Sequence, residues 1–174
     1  MVDLRTRLRR ETAEAHERLD LSVTAFGMDS AEGREGLCAA LSAGYRAVLG
    51  LRYAPASKAR DIALRPILAQ GQVPPASDAT GAEIDERAAS YVFVGAHLGM
   101  RVLALAWERE TGAVPPPPLG MPPLGREWRE VREDLSAMPA EGPAADRIVA
   151  DANRLFDAFH AGVLRARRTP ARAA

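Results

Sequence analysis

Cysteine is almost absent from this chain: Cys38 stands alone among 174 residues. One thiol excludes an internal disulfide and a CxxC metal or redox motif, and it fits a reducing compartment. Histidine is nearly as scarce. His16, His97 and His160 are the only three, and no spaced Asp/Glu–His motif surrounds them, which argues against zinc and di-iron centres. An excess of either charge is missing too, since 23 Lys and Arg balance 23 Asp and Glu. That removes the broad basic footprint of a nucleic-acid partner. The one basic cluster, Arg165 to Arg172, runs into an end containing Pro170 and alanines, so residues 169–174 read as a disordered tail outside a single domain over 1–168. The longest apolar stretch, residues 91–100, stops at Arg101 and is too short to span a bilayer. The N-terminus is charged from Asp3 onward and has no apolar signal segment, so a cytoplasmic location is expected. No GxxxxGK loop and no GxSxG elbow occur.

Aromatic residues and β-branched runs are few, whereas Ala, Leu, Arg and Glu abound, which favours helices over strands. The fold class expected is an all-α, single-domain helical bundle. Apolar periodicity predicts a first helix over 3–19, with Leu4, Leu8, Ala15 and Leu19 inward. Ser30 is placed to cap a second helix reaching about 52. A weaker helix over 54–70 should bend or break at Pro66, and 71–81 reads as loop. A long helix over 82–111 should end at Gly112, followed by a stiff extended connector at 115–118. Two more helices are expected, over 124–138 and 144–167.

Two features carry candidate chemistry. On the first helix, at about 100° per residue, His16 lies at the edge of the apolar stripe beside Arg5, Arg9 and Thr12. A histidine at that border suits a flat amphipathic ligand whose metal takes the imidazole and whose carboxylates meet arginines. The plainer alternative is a boundary histidine held by a carboxylate. On the long helix, Ala88, Gly95, Gly99 and Ala106 share one narrow stripe. Each interior glycine costs roughly 1 kcal/mol relative to alanine, so either a second helix packs very closely there or a large flat ligand lies on bare backbone. His97 falls on the opposite side with Ser90, Arg101 and Glu108, and is expected to face solvent. His160 flanks the stripe of Phe156, Phe159 and Val163 and is the one rival to His16 as a metal ligand.

The run from Leu8 through Thr12 to His16 and Leu19 resembles the first helix of heme oxygenases, where Leu-(Lys/Arg)-x-x-Thr-x-x-x-His ends in the proximal iron ligand. The run from Tyr91 through Gly95 and Gly99 to Leu103 is similar to the distal helix of bacterial members, and the stretch from Trp128 through Phe156 and Phe159 also follows the bacterial pattern. This resemblance implies a heme oxygenase-like bundle that opens heme to biliverdin, carbon monoxide and ferrous iron. It implies O₂ and electrons from a separate reductase or ferredoxin as co-reactants, heme as both substrate and cofactor, and a protein that accepts biliverdin as a conceivable further partner. By the same resemblance His16 is the iron ligand, Arg9 meets a propionate, Thr12 belongs to the heme-binding run, and Gly95 and Gly99 are the distal glycines over the ring. Where the family commonly has Glu-Gly-Ser, this chain has Val94, Gly95 and Ala96, and Met100 replaces a small residue. Those departures imply slow turnover, and they leave open a heme-binding protein that stores, transfers or senses heme without cleaving it. A structural helical module with packing glycines is the third possibility.

Overall fold

The computed structural model describes residues 3–76 and 81–168. Among these the chain is all-helical: α1 (Leu4–Glu11), α2 (Ala13–Thr24), α3 (Ala31–Leu49), α4 (Lys58–Leu68), α5 (Glu86–Thr111), α6 (Gly125–Ala137) and α7 (Pro143–Arg168). No strand forms among them; a lone bridge joins Asp3 to Pro139. The tail expected at 169–174 lies outside the described residues.

Local chemistry sets the helix ends. Ser30, Ser57 and Asp85 each accept a hydrogen bond from a backbone N–H in the first turn of the helix they precede. Pro143 opens α7, where a missing N–H has no intrahelical partner to lose. Gly112 closes α5 at φ 65°, a conformation that favours glycine. Five expectations change. The single helix over 3–19 is two helices joined at Thr12 and extended to Thr24. The Thr12 hydroxyl donates to the Leu8 carbonyl at 2.8 Å, a back-bond that bends helices. Pro66 does not break α4, which runs on to Leu68. The helix starts at Lys58, not at 54, because Ser57 caps it there. The long helix starts at Glu86, not at 82, because Asp85 is its cap and the Asp85 N–H is taken by Asp151 Oδ2 at 2.9 Å. Finally, 115–118 is not an extended connector: the Pro116 carbonyl accepts from Leu119 N and Gly120 N, and Pro118 and Leu119 are buried in a turn.

The core is organised by α7 and α3. Gly44 of α3 and Gly162 of α7 let the two backbones meet, and the Tyr45 and Phe159 rings interlock edge-on with centroids 5.2 Å apart. Leu41, Val48, Ala152, Leu155 and Val163 fill the seam and are fully buried. Helices α2 and α5 both pack against α7, yet they do not pack against each other. Buried Asp151 pairs with Arg154 at 2.7 Å and Arg147 at 3.7 Å, so its charge is matched where α7 holds the start of α5.

Candidate functional site

The hinge at Thr12 puts His16 one turn into α2. Its side chain is 58% exposed, its Nδ1 lies 2.9 Å from Asp20 Oδ2, and its ring stands edge-on to Phe156 of α7, with centroids 5.5 Å apart. A carboxylate at Nδ1 holds the neutral imidazole in the tautomer whose Nε2 carries the lone pair. That is the arrangement a metal ligand needs, and Nε2 makes no hydrogen bond with another described residue. His160 differs. Its Nε2 is 2.8 Å from the Ser22 hydroxyl and the side chain is half-buried, so the nitrogen that would meet a metal is engaged.

The other residues around His16 divide. Thr12 is 2% exposed and its hydroxyl is spent on the Leu8 carbonyl, so it shapes the backbone and has no free group at the surface. Arg9 is exposed in the last turn of α1. Arg5, expected at the same rim, instead borders a hollow against α6. Glu11 sits between Arg7 (3.1 Å) and Arg10 (2.9 Å), which hold its carboxyl below the usual range by hydrogen bonding.

The long helix α5 changes character along its length. Its first half is enclosed by α4, α6 and α7, and Ala88, Ala89, Val92, Phe93 and Val94 are buried. In the second half Leu98, Val102 and Leu105 are all more than half exposed. With Tyr91 and Gly95 they form a series spaced alternately by four and three residues, so they share one face. Gly99 is exposed beside that face, and a Cβ added there would meet nothing within 4 Å. A Cβ on Gly95 would approach the Trp128 indole at 3.3 Å, and Trp128 leans on Tyr91 with ring centroids 6.0 Å apart. The glycine face is therefore open, apolar and walled at one end by two aromatic rings. The sequence reading named Tyr91 and Trp128 only as the starts of family-like runs, and it missed the exposed Leu98–Val102–Leu105 series, although its spacing was the signal available. The length and apolar composition of α5 would suffice to cross a membrane, and a third of its most apolar window is buried.

Two expectations for α5 are corrected. His97 does not face solvent: it is 7% exposed, and its Nδ1 hydrogen-bonds to the Val94 carbonyl. A single polar face was assumed for α5, whereas neighbours on several flanks cover this stretch. Val94 is buried in the core rather than bordering the glycine face, and Met100 packs against the core.

The structure thus yields two half-sites, the His16 edge of α2 and the glycine face of α5, both supported by α7. It does not bring them into direct contact. A groove of about 440 Å³ between α5 and α6 is lined by Glu86, Arg87, Ser90, Glu130, Val131, Asp134 and Leu135, and neither His16 nor either glycine borders it. Among the described residues no group of three or more His, Cys, Asp or Glu could hold a bare metal ion. Comparison with known proteins adds no family: no family model, no curated protein and no solved structure matches this chain.

Proposed function

We propose that the chain binds heme between the His16 edge of α2 and the glycine face of α5, and acts on it as a heme oxygenase. The observation that carries the reading is Gly99, a helix-interior glycine where an added Cβ would meet nothing within 4 Å, beside an apolar face that the described residues leave open. Helix packing does not account for it, and a flat apolar ring laid on bare backbone does. His16 supports the same reading. Asp20 fixes its tautomer, Phe156 fixes its ring, and its outward nitrogen suits an iron that brings four porphyrin nitrogens of its own. Arg9 is the exposed cation on the adjoining helix for a propionate. Bound heme would supply the redox chemistry, with O₂ and external electrons, and the chain's part is to hold iron from one side and keep bulky side chains off the other.

A second reading, heme binding without cleavage, is favoured by one observation. On the open face of α5, Gly95, Leu98, Gly99, Val102 and Leu105 carry no side-chain proton donor, and the donors nearest to it are the Tyr91 hydroxyl and Trp128 indole at its walled end. Proton delivery on that side would depend on water. Restoring a glutamate at position 94 would not help, because Val94 is 3% exposed and the carboxylate would enter the core.

Hemin titration followed by visible absorbance tests the binding. A saturable Soret band is expected, with His16→Ala moving its position and His160→Ala leaving it unchanged. The opposite pattern, or no band at all, would sink the assignment. Adding O₂ and a reductant with catalase present then separates the two readings. Biliverdin absorbance with trapped carbon monoxide supports the oxygenase, and stable heme supports the carrier.

A further inference from the structure

A second, chemically different hollow lies between α1 and α6. It has a volume of about 120 Å³ and is lined by Arg5, Arg129, Arg132, Glu133 and Ser136. Its walls are set by backbone: Leu4 N–H donates to the Met138 carbonyl at 3.2 Å, and Arg7 reaches the Ala140 carbonyl at 2.7 Å, so α1 is fixed against the end of α6. Arg129 and Arg132 are three apart on α6 and share a face, while Arg5 comes from the facing helix.

The pairing pattern sets this hollow apart from its surroundings. Arg126, on the same helix, is held by Glu127 at 3.6 Å and Glu130 at 4.0 Å. Arg7 and Arg10 of α1 both pair with Glu11. None of Arg5, Arg129 and Arg132 makes an ion pair or hydrogen bond with another described residue, and Glu133 pairs with none of them although it lines the same hollow. The Asp3 carboxylate accepts from Thr6 N at 2.7 Å and lies in the field of Arg5, whose charge it partly offsets without forming an ion pair. Three arginines with no ion-pair partner among the described residues thus border one hollow that has a single carboxylate in its lining, a local surplus of positive charge that a multiply charged oxyanion would match.

We propose that this hollow binds a phosphate dianion, free or as the headgroup of a small monoester, held by Arg129 and Arg132 from one side and Arg5 from the other. Guanidinium forks match phosphate oxygens two at a time, and a tetrahedral dianion can serve forks arriving from two helices. A planar monoanionic carboxylate occupies a single fork and leaves the other cations unmatched. The site is independent of the heme reading, since neither His16 nor the glycines of α5 line it.

Isothermal titration of the full chain, at fixed ionic strength, with glycerol 3-phosphate, inorganic phosphate and acetate tests this. Saturable binding of glycerol 3-phosphate is expected, with acetate binding far more weakly. Exchanging both α6 arginines for glutamine (Arg129→Gln with Arg132→Gln) should weaken binding by at least about tenfold, and Arg5→Gln should weaken it severalfold. Arg126→Gln should change it little. Because these side chains lie at the surface, unchanged thermal melts will show that the variants fold. Absence of saturable binding overturns the proposal. So does an effect of Arg126→Gln as large as that of the double substitution. Inorganic phosphate and glycerol 3-phosphate should bind alike if the phosphate alone is recognised, and acetate binding as tightly as either overturns the proposal.

Discussion

Two pairs of glycines in this protein occupy helix interiors for opposite reasons. Gly44 and Gly162 lie where α3 and α7 cross. A Cβ on Gly44 would fall 2.3 Å from the Phe159 ring, and one on Gly162 would fall 2.5 Å from the Ala43 carbonyl oxygen. Gly95 and Gly99 lie on a helix face where the same added atom meets one ring edge at 3.3 Å or nothing. Both pairs forgo the same helix propensity, roughly 1 kcal/mol per residue. At the first pair close packing of two helices offsets that cost within the protein itself. At the second, Gly95 has only the edge of Trp128 and Gly99 has no described neighbour at all, and that contrast is why the α5 face rather than the α3–α7 seam is read as a ligand surface.

The sharpest way to break the contrast is to fill the seam. Gly162→Ala places a methyl against backbone, which cannot move as a side chain tip can. The expected loss is about 1–3 kcal/mol from overpacking, a fall in Tm of several degrees for a chain of this length. Gly44→Ala should cost a similar amount, since Phe159 is itself packed on Tyr45. Thermal and urea melts measure both. If either variant is as stable as the parent, the seam is looser than its geometry indicates and the contrast loses its first half.

Next in size is the effect at Gly99, and its sign should reverse. Gly99→Ala should stabilise the apo protein by roughly 0.5–1 kcal/mol, because it restores helix propensity with no clash. Gly99→Leu should leave the apo fold intact while weakening hemin binding or shifting its spectrum. Equal loss of folding and binding would mean that a helix packs there after all. His16→Ala is expected to change stability by less than about 0.5 kcal/mol, since an exposed ion pair contributes little, while its effect on the hemin spectrum is large. That separation between stability and spectrum is what distinguishes a ligand from a core histidine.

The sequence carried the helical class, the caps at Ser30 and Gly112, and the apolar stripe of Phe156, Phe159 and Val163 on α7, because these depend on local chemistry and on period. It did not reveal the seam. Gly44 lies apart from Gly33 and Gly36 near the start of α3, Gly162 is alone in α7, and only the crossing of two distant segments gives the two a role. The conspicuous Gly95 and Gly99 pair drew attention by its spacing, yet spacing cannot tell an open face from a packed one. His97 was misplaced for a related reason: a helical wheel assigns one wet face, while α5 has neighbours on three helices. At His16 the rim position was legible, but Asp20 as its partner and Phe156 as its support required the turn of α2 and the approach of α7.

The smallest effect is expected at Gly95, and it tests the contrast most finely. An alanine there gains helix propensity of up to about 1 kcal/mol. Against that, its methyl would lie 3.3 Å from the Trp128 ring, tighter than ordinary contact, so the indole must give by a few tenths of an ångström. Trp128 is not locked: it is half-buried and leans on Tyr91 at an angle of 42° rather than filling a closed core. The two contributions should nearly cancel, leaving Gly95→Ala within about 0.5 kcal/mol of the parent. A double-mutant cycle with Trp128→Leu isolates the ring contact. In the Trp128→Leu background, Gly95→Ala should become stabilising, as at Gly99. If it stays neutral there, the indole is not what opposes the methyl. If Gly95→Ala costs as much as Gly162→Ala in the parent, this part of α5 belongs with the packed seam, and the open face begins only at Leu98.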